Sequence, residues 1–559
     1  MNRTLVRVAL VAALIAPDAW TAGAQTTPGP GQSAAPKGTA TVRGRITAAD
    51  TGRGLRRAQV SISGGDLPQR RTAATNIRGE FELRDLPPGR YTVSAARSGY
   101  LAFEYGQRRP GERGKTLEIS EGDAMTAVDI ALPRASVISG RVLDENGEAV
   151  PAVSIWVMRQ EFFRGRRQLV PVTVGVRTDD TGQYRATGLG AGDYLVFATV
   201  RETWVTSGPK RQVFGYAPTY YPGTISAAEA QHVKVTAGRE SSNVDIALIA
   251  APAANISGTA RRSDGAPLTG ASIGLTQQVI GPSGSSFGGI TSATVDADGS
   301  WRLRDVPAGE YQLEFSSVDR TRAPETGSMK LIVQGADIDG VSLVTEAPVR
   351  IGGEVVTESG APLPQAAAGR LRVTIEVTGD RRPTTVRVGD DNGLVKTDGS
   401  FTVSAPPGPA IVRVSSLPRG WALKAVEIGA REAPDGAIEL KSGETLDRAR
   451  IVVTDRFPAV SGRVIDDRAT DAEGIVVLFP ADETRWLTAT AGIRSGRADQ
   501  KGIFRFETVP PGDYLIAALD AVQNWQVNDP EFLGELKPHA ERLTLREGAS
   551  AQVTLRLKK

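Results

Sequence analysis

The sequence contains no cysteine and very little histidine. There are no Cys and two His among its 559 residues. Without Cys the chain cannot form disulfides, thiol nucleophiles or Cys-ligated metal sites. The two histidines, His232 and His539, are far apart in the sequence, and neither belongs to a His-x-x-Glu or His-Glu-x-x-His string. A zinc peptidase, whose metal takes two His and a Glu, is therefore excluded by ligand count.

An excess of charge of one sign and a long apolar run are also missing. Lys and Arg total 66 against 63 Asp and Glu, a net charge of +3. Such a small and dispersed excess does not make a phosphate-binding surface, so we expect no nucleic-acid partner. The apolar run near the N-terminus, Val8 to Ala16, ends at Pro17 and Asp18, whereas a transmembrane helix needs about 20 apolar residues.

The N-terminus has the parts of a secretory signal. Arg3 and Arg7 form a basic start before the apolar run, and Ala22-Gly23-Ala24 supplies the small residues that a signal peptidase recognises. We predict a cleavable signal peptide over residues 1–24 and a flexible leader over residues 25–40. The protein is then extracytoplasmic, either periplasmic or secreted, with no transmembrane segment after signal cleavage.

Glycine and proline are frequent and mark a repeat with three anchors. The chain has 62 Gly and 34 Pro, with 40% apolar residues, which favours many short strands joined by turns. The first anchor is an aliphatic residue, any residue and Gly: Val42-Arg43-Gly44, Ile138-Ser139-Gly140, Ile256-Ser257-Gly258, Ile351-Gly352-Gly353 and Val460-Ser461-Gly462. The second is Gly, any residue and an aromatic residue: Gly79-Glu80-Phe81, Gly182-Gln183-Tyr184, Gly299-Ser300-Trp301, Gly399-Ser400-Phe401 and Gly502-Ile503-Phe504. The third ends in Tyr in all but the fourth copy: Pro88-Gly89-Arg90-Tyr91, Ala191-Gly192-Asp193-Tyr194, Ala308-Gly309-Glu310-Tyr311, Pro407-Gly408-Pro409-Ala410 and Pro511-Gly512-Asp513-Tyr514.

Apolar and polar residues alternate between these anchors, as in Phe81-Glu82-Leu83. A period of two predicts strands with one buried and one wet face. About seven short strands in roughly 100 residues predict an antiparallel β-sandwich, so the expected fold is all-β, with five tandem sandwich domains arranged as an extended rod. The predicted modules are 41–133, 134–250 with an aromatic loop insertion, 251–346, 347–456 and 457–559.

The anchors resemble those of a known domain family. Asp179-Asp180-Thr181-Gly182-Gln183-Tyr184 and Leu86-Pro87-Pro88-Gly89-Arg90-Tyr91 are similar to motifs of the carboxypeptidase regulatory-like domain. This resemblance covers residues 41–559 and implies a transthyretin-like (prealbumin-like) sandwich, related in shape to Ig-like and carbohydrate-binding-like folds. In its eponymous enzymes this domain is a non-catalytic appendage, so the resemblance implies a fold, and sugar binding only by analogy.

Aromatic residues make up only 6% of the chain, yet they cluster in two Gly- and Pro-rich loops. The candidate binding residues in module 2 are Trp204, Tyr216, Tyr220 and Tyr221, and Tyr105 is the counterpart in module 1. Rings in loops can stack on sugars or anchor a protein interface. Alternatively, each loop folds back and caps its own sandwich.

A basic aromatic hairpin in module 2 provides two further candidates, Arg164 and Arg166. With the neighbouring Phe162 and Phe163, these arginines could meet an acidic polysaccharide or a lipid A phosphate; the alternative is a solvated hairpin. In module 5, Asp529 and Pro530 predict a short capped helix, with Trp525 as a hydrophobic plug beneath it.

Two further motifs carry weak chemical signals. Ser286 lies in a Gly-x-Ser-x-Gly string, but within a Gly/Ser tract of a β-domain and not at a strand-to-helix turn, so we expect a hairpin loop. Asp296-Ala297-Asp298-Gly299 lacks the further acidic ligands of a calcium loop, so we expect a turn. We therefore predict no catalytic, metal or cofactor-binding residue.

These observations lead to one functional hypothesis and one alternative. We predict a non-enzymatic, exported multi-domain β-sandwich protein that serves in adhesion or scaffolding in the cell envelope or outside the cell. The alternative is a carbohydrate-binding protein that uses the aromatic loops of modules 1 and 2. The expected partner is a polysaccharide or another envelope protein.

Overall fold

The computed structural model describes residues 38–558, with gaps at 65–66, 68, 164–165, 174, 207–211, 277–288, 318–323, 364–368, 378–391, 419, 430, 434–435, 487–491 and 500. The predicted signal peptide, most of the leader, Arg164 and Ser286 lie outside the described residues. No helix in the described part of the chain is long and apolar enough to cross a membrane.

Module 1 consists of two facing sheets. One contains β1 (Ala40–Ala48), β4 (Glu80–Leu86), β8 (Ala124–Met125) and β9 (Ile130–Leu132); the other contains β2 (Gln59–Gly64), β3 (Arg71–Ala74), β5 (Gly89–Ala96), β6 (Phe103–Glu104) and β7 (Leu117–Ile119). The second sheet is antiparallel, but in the first sheet β8 and β9 lie parallel to β1. The prediction of a purely antiparallel sandwich is thus wrong at this pairing, which recurs in all five modules.

Modules 2 and 3 repeat this order and share one strand. Module 2 contains β10 (Ser136–Leu143), β11 (Ser154–Phe163), β12 (Arg166–Pro171), β13 (Val176–Arg177), β14 (Gln183–Leu189), β15 (Gly192–Thr199), β16 (Thr203–Val205), β17 (Val213–Ala217), β18 (Thr219–Tyr220), β19 (Val233–Val235), β20 (Glu240–Ser241) and β21 (Ile246–Ala247). Module 3 contains β22 (Ile249–Arg261), β23 (Ser272–Thr276), β24 (Gly289–Thr294), β25 (Ser300–Pro307), β26 (Gly309–Ser316), β27 (Thr326–Val333) and β28 (Ile338–Val344). The β17 strand of the module 2 insertion pairs with the first half of β22, and β25 pairs with its second half.

Modules 4 and 5 complete the chain. Module 4 contains β29 (Val349–Thr357), β30 (Arg372–Val377), β31 (Ser400–Ala405), β32 (Gly408–Ser415), β33 (Ala422–Ile428), β34 (Arg431–Ala433), β35 (Ala437–Leu440) and β36 (Thr445–Thr454). Module 5 contains β37 (Ala459–Ile465), β38 (Ile475–Pro480), β39 (Arg494–Arg497), β40 (Ile503–Phe506), β41 (Gly512–Leu519), α1 (Pro530–Leu536), β42 (Glu541–Leu545) and β43 (Ser550–Lys558), with 3-10 turns at Glu483–Arg485, Gln526–Asn528 and Lys537–His539.

The structure gives a physical reason for the first anchor. The carbonyl oxygen of Val128 on the last-strand segment leaves no room for a Cβ at Gly44, and the same close approach occurs at the corresponding glycine of every module. These are Gly140, Gly258, Gly353 and Gly462. The anchor is therefore needed wherever the first and last strands of a sandwich lie side by side in parallel.

The third anchor places a tyrosine in the core. Tyr91 is buried, and its hydroxyl donates a 2.7 Å hydrogen bond to the carbonyl oxygen of Pro87. Tyr194 and Tyr311 donate equivalent bonds to Gly190 and Pro307. The ring fills the sandwich, and the buried hydroxyl is satisfied by the turn that precedes its own strand.

The prediction that each strand has one solvent-exposed face holds for β5 in module 1 and is wrong for β38 in module 5. The β5 strand alternates between buried and partly exposed residues, but all six residues of β38 are buried. Its second face forms another core, because Val522, Leu533 and Leu536 cover it. The predicted helix is confirmed as α1, with Asp529 as its N-cap. The tryptophan buried in this core is Trp486, whereas Trp525 is half-buried outside it.

Candidate functional site

Module 5 contacts module 1, so the prediction of an extended rod is wrong. The contact is made by a loop of module 1, Tyr105 to Lys115, which we call the clasp loop. The backbone N–H of Asn524 donates to the carbonyl oxygen of Gly111 at 2.9 Å. The Nε of Arg497 donates to the carbonyl oxygen of Arg113 at 3.3 Å. Modules 1 and 5 are therefore in direct contact, and we call this contact the clasp.

Ion pairs run along the rim of this contact. The Nζ of Lys115 lies 2.7 Å from Oε1 of Glu473, and Arg108 lies 2.8 Å from Oε2 of the same carboxylate. A guanidinium nitrogen of Arg109 lies 2.9 Å from Asp520. Module 1 thus supplies the cations and module 5 the carboxylates, an arrangement that fixes the register of the two surfaces.

One pair of opposite polarity lies at the centre. Glu112 of the clasp loop pairs with Arg497 of β39, and their side chains are 2% and 0% exposed. One carboxylate oxygen of Glu112 and one guanidinium nitrogen of Arg497 have no hydrogen-bond partner among the described residues. Because desolvation of an ion pair is costly, removing one partner is far more damaging than removing both.

The environment of Glu473 keeps it ionised. Burial on its own would raise its pKa, but the hydrogen bond from Lys115 and the charges of Lys115, Arg108 and Arg497 together hold the pKa below its ordinary value. Glu473 is therefore ionised near neutral pH. Burial lowers the pKa of Arg497, and the charge of Glu112 opposes that shift.

The clasp loop is held in shape by module 1 itself. A carboxylate oxygen of Glu104 accepts from the backbone N–H of Gly114 at 2.7 Å, and the side-chain amide of Gln107 donates to the carbonyl oxygen of Arg109 at 2.9 Å. At its base, Tyr105 donates its N–H to Val93 and accepts from that of Lys115. The loop is thus preorganised for its contact with module 5.

Module 2 also contacts module 5. Arg167 on β12 lies 3.0 Å from Asp529 and 2.6 Å from Glu531. The hydrogen bond that Arg167 donates to Asp529, with the nearby carboxylate of Glu531, raises the pKa of Arg167. Asp529 also caps α1 by accepting from the backbone N–H of Glu531 at 3.1 Å. The carboxylate of Asp529 therefore both caps the start of α1 and links modules 2 and 5.

Several of the predicted aromatic binding residues pack inside their own modules. Tyr105 is half-buried against the core of module 1. Trp204 and Tyr216 have ring centroids 4.8 Å apart. Tyr216 donates to Glu145 at 3.2 Å, and burial together with the charge of Glu145 raises its pKa to about 12.

Tyr220 and Tyr221, the other two predicted binding residues, also pack inside module 2. Tyr220 lies 5.1 Å, centroid to centroid, from the buried ring of Phe197, and burial raises its pKa to about 12. Tyr221 is half-buried against the core of module 2. All five rings thus pack within their own modules, and their role in binding stays a prediction.

The predicted basic hairpin is described only in part. Arg164 lies outside the described residues, and Arg166 begins β12, with its side chain also outside the described part. The arginine of this hairpin with defined partners is Arg167, the third arginine of the basic run.

Other chemical features of the described residues are modest. No group of three or more His, Asp or Glu side chains that could hold a metal ion occurs in this part of the chain. Asp298 accepts from the backbone N–H of Ser300 at 2.9 Å, as expected for a turn. A cleft of about 290 Å³ on module 4 is lined by residues of mixed charge, including Glu354, Lys396, Asp398 and Arg450.

The family assignment follows from a sequence comparison. The family model of the carboxypeptidase regulatory-like domain matches residues 41–133, 137–249 and 255–328. The chain belongs to this family. The three matches fall on the first three predicted modules of this protein. No curated protein sequence matches it.

Solved structures show only distant likeness. They include the minor pilin GBS52 of Streptococcus agalactiae, with 13% identity over 38% of this chain and 95% of that one and a TM-score of 0.21. The Bacillus anthracis TIE protein has 12% identity, covers 75% of this chain and 74% of that one, and has a TM-score of 0.15. BcpA, the major pilin subunit of Bacillus cereus, has 10% identity over 76% of this chain and 99% of that one, with a TM-score of 0.14. Scores this low support no argument about function.

Proposed function

We propose that this protein is an exported, non-catalytic scaffold or adhesion protein of the cell envelope or the exterior. The observation that carries the proposal is the clasp, because it joins the first module to the last through a buried ion pair. A contact of this kind holds the surfaces of two modules in a fixed relation, and fixed surfaces are suited to binding other envelope components. Export follows from the signal peptide that the first 24 residues predict.

The alternative of carbohydrate binding has less support. A ring that stacks on a sugar must offer an open face, yet Trp204 packs against Tyr216 at a tilt of 50° and Tyr220 packs on Phe197. The charges of the module 1 loop are likewise directed to module 5. These contacts favour a scaffold whose aromatic loops stabilise the protein itself.

A binding assay on the cell envelope tests this proposal. The purified protein is immobilised and exposed to a detergent-solubilised envelope extract, in which no bilayer remains. One portion of the extract is treated with protease and another with periodate, which cleaves sugar diols. We expect saturable binding that protease abolishes and periodate leaves intact. Binding that is lost with periodate alone, or no binding to any portion, contradicts the proposal.

A further inference from the structure

Two turns meet at one end of module 1. The turn after β1 and the turn before β4 are joined by a 3.0 Å hydrogen bond from the N–H of Arg57 to the carbonyl oxygen of Thr75. They are so close that the carbonyl oxygen of Arg78 leaves no room for a Cβ at Gly54. Among the side chains that these turns expose are those of Arg53, Arg56, Arg57, Ile77 and Arg78, which we call the basic tip.

Most of the cations of the basic tip lack a counter-ion. The guanidinium groups of Arg53, Arg56 and Arg57 make no ion pair within the described part of the chain, and Arg78 makes only an exposed one, 3.4 Å from Glu80. The acidic residue of the first turn, Asp50, is already paired with Arg134. The tip therefore presents unneutralised positive charge, unlike the paired cations of the clasp.

The basic tip also exposes an apolar side chain. Ile77 is 82% exposed, the highest exposure among the large hydrophobic residues of the described chain. Counted from the following glycine, the same turn position holds Asp180 in module 2, Ala297 in module 3 and Thr397 in module 4. Isoleucine is thus not required by the turn itself.

Arg53 and Arg57 are also replaced by other residue types at the same positions of module 2. Arg57 has a φ of 57°, in the left-handed region, and the equivalent residues are Ala152 in module 2 and Gly270 in module 3. Glu148 of module 2 takes the position of Arg53, so that the equivalent end of module 2 is acidic where module 1 is basic. A bulky residue with positive φ is strained, so the turn favours a smaller residue on conformational grounds.

Unpaired arginines around an exposed isoleucine suit a surface that is anionic outside and apolar beneath. We propose that the basic tip docks on an anionic phospholipid bilayer, with the arginines on headgroup phosphates and Ile77 at the acyl boundary. An acidic polysaccharide would neutralise the arginines but leave Ile77 in water. Free phosphate needs converging donors, whereas these arginine side chains are all exposed and share no hydrogen-bond acceptor among the described residues.

This inference rests on the proposed function, because export places the protein beside envelope membranes. The vesicle assay below needs no envelope protein, and the detergent assay above contains no bilayer. If the protein does not bind vesicles, the membrane inference is overturned and the scaffold proposal stands. The reverse pair of results overturns the scaffold alone.

Vesicle flotation tests the docking directly. We expect the purified full protein to float with vesicles of 70% phosphatidylcholine and 30% phosphatidylglycerol at low salt, and to remain unbound with pure phosphatidylcholine. The triple variant Arg53→Gln, Arg56→Gln and Arg57→Gln should bind about a hundredfold more weakly, at about 1 kcal/mol for each arginine. The matched control Arg302→Gln, Arg304→Gln and Arg370→Gln removes three exposed arginines elsewhere and should bind like the unmodified protein. Equal weakening by both triple variants overturns the proposal.

A second variant separates a membrane from other anions. Ile77→Ser keeps every charge and should weaken vesicle binding about tenfold through lost apolar burial. Its unfolding temperature should match that of the unmodified protein, because Ile77 lies in water. Unchanged vesicle binding by Ile77→Ser would overturn the docking, as would release from vesicles by millimolar phosphate beyond that by chloride at equal ionic strength. So would binding to alginate, an acidic polysaccharide, that is as tight as binding to vesicles.

Discussion

The joint between modules 2 and 3 and the clasp between modules 1 and 5 connect sandwiches in opposite ways. At the joint, the β22 strand passes without interruption from one module to the next, and β17 adds to its first half. At the clasp, the contact depends on side-chain ion pairs such as Lys115 to Glu473. Backbone ladders are insensitive to pH, whereas carboxylates titrate. Modules 2 and 3 are thus joined by a continuous backbone strand, and modules 1 and 5 by side-chain charges that we expect acid to weaken.

The largest effect is expected from breaking the pair at the centre of the clasp. Glu112→Leu leaves the buried guanidinium of Arg497 without the carboxylate that it pairs with directly, a kind of loss that costs about 3–5 kcal/mol in comparable sites. Because that cost is relieved once module 5 swings away, we expect the clasp to open and the radius of gyration in X-ray scattering to rise. The double variant Glu112→Leu and Arg497→Met removes both charges and should stay closed. A closed single variant, or an open double variant, would show that the buried pair does not decide the contact.

Acid should open the clasp and leave the joint unchanged. The pKa of Glu473 is lower in the folded protein than its ordinary value of 4.5, so its ionised form stabilises the clasp above pH 4.5. This stabilisation is lost as the pH falls below 4.5 and through the lower folded pKa. Hydrogen exchange should show the clasp loop losing protection in that range while β17 and β22 keep theirs.

The same titration in Glu473→Gln is the control for this prediction. The amide keeps the shape of the carboxyl group but cannot titrate, so the clasp loop should be less protected at neutral pH and respond less to acid. If the pH response of Glu473→Gln equals that of the unmodified protein, the carboxylate of Glu473 is not its source.

A smaller effect is expected at the joint. A Cβ at Gly215 of β17 would lie 3.1 Å from Cγ of Pro307 in module 3, whereas a Cβ at Gly534 of α1 meets nothing within 4 Å. Gly215→Ala should therefore destabilise the joint by about 1 kcal/mol, and Gly534→Ala should stabilise its helix by up to about 1 kcal/mol. The unfolding temperatures of the two variants compare the same Gly-to-Ala substitution at a crowded position and at an open one. A neutral Gly215→Ala would mean that the joint is loosely packed.

The joint and the clasp also differ in how far the sequence predicts them. The repeated anchors are local, since Gly44 and Tyr91 each mark a turn or a close approach within one module, and the all-β fold follows from them. The clasp joins Arg108 to Glu473 across 365 residues, and ion pairs leave no periodic pattern that predicts a partner at that distance. The second face of β38 escaped prediction for a similar reason, because its cover comes from residues that follow β41. A signal was present in the basic loop Arg108 to Lys115, whose charges break the repeat.

The smallest effect is expected at the exposed rim of the clasp, and it sharpens the contrast with the buried centre. Arg109 lies 2.9 Å from Asp520, with side chains that are 61% and 38% exposed. Water and salt screen such a pair, so Arg109→Gln should cost about 0.2–1 kcal/mol and leave the clasp closed. Its residual effect should vanish in 1 M salt, where the screening length is about 3 Å. Scattering and hydrogen exchange of Arg109→Gln beside Glu112→Leu compare the rim with the centre directly. If the rim variant opened the clasp as fully as the central one, the buried pair would be one contributor among equals, and the whole charged surface would act as the unit that joins the two ends of the chain.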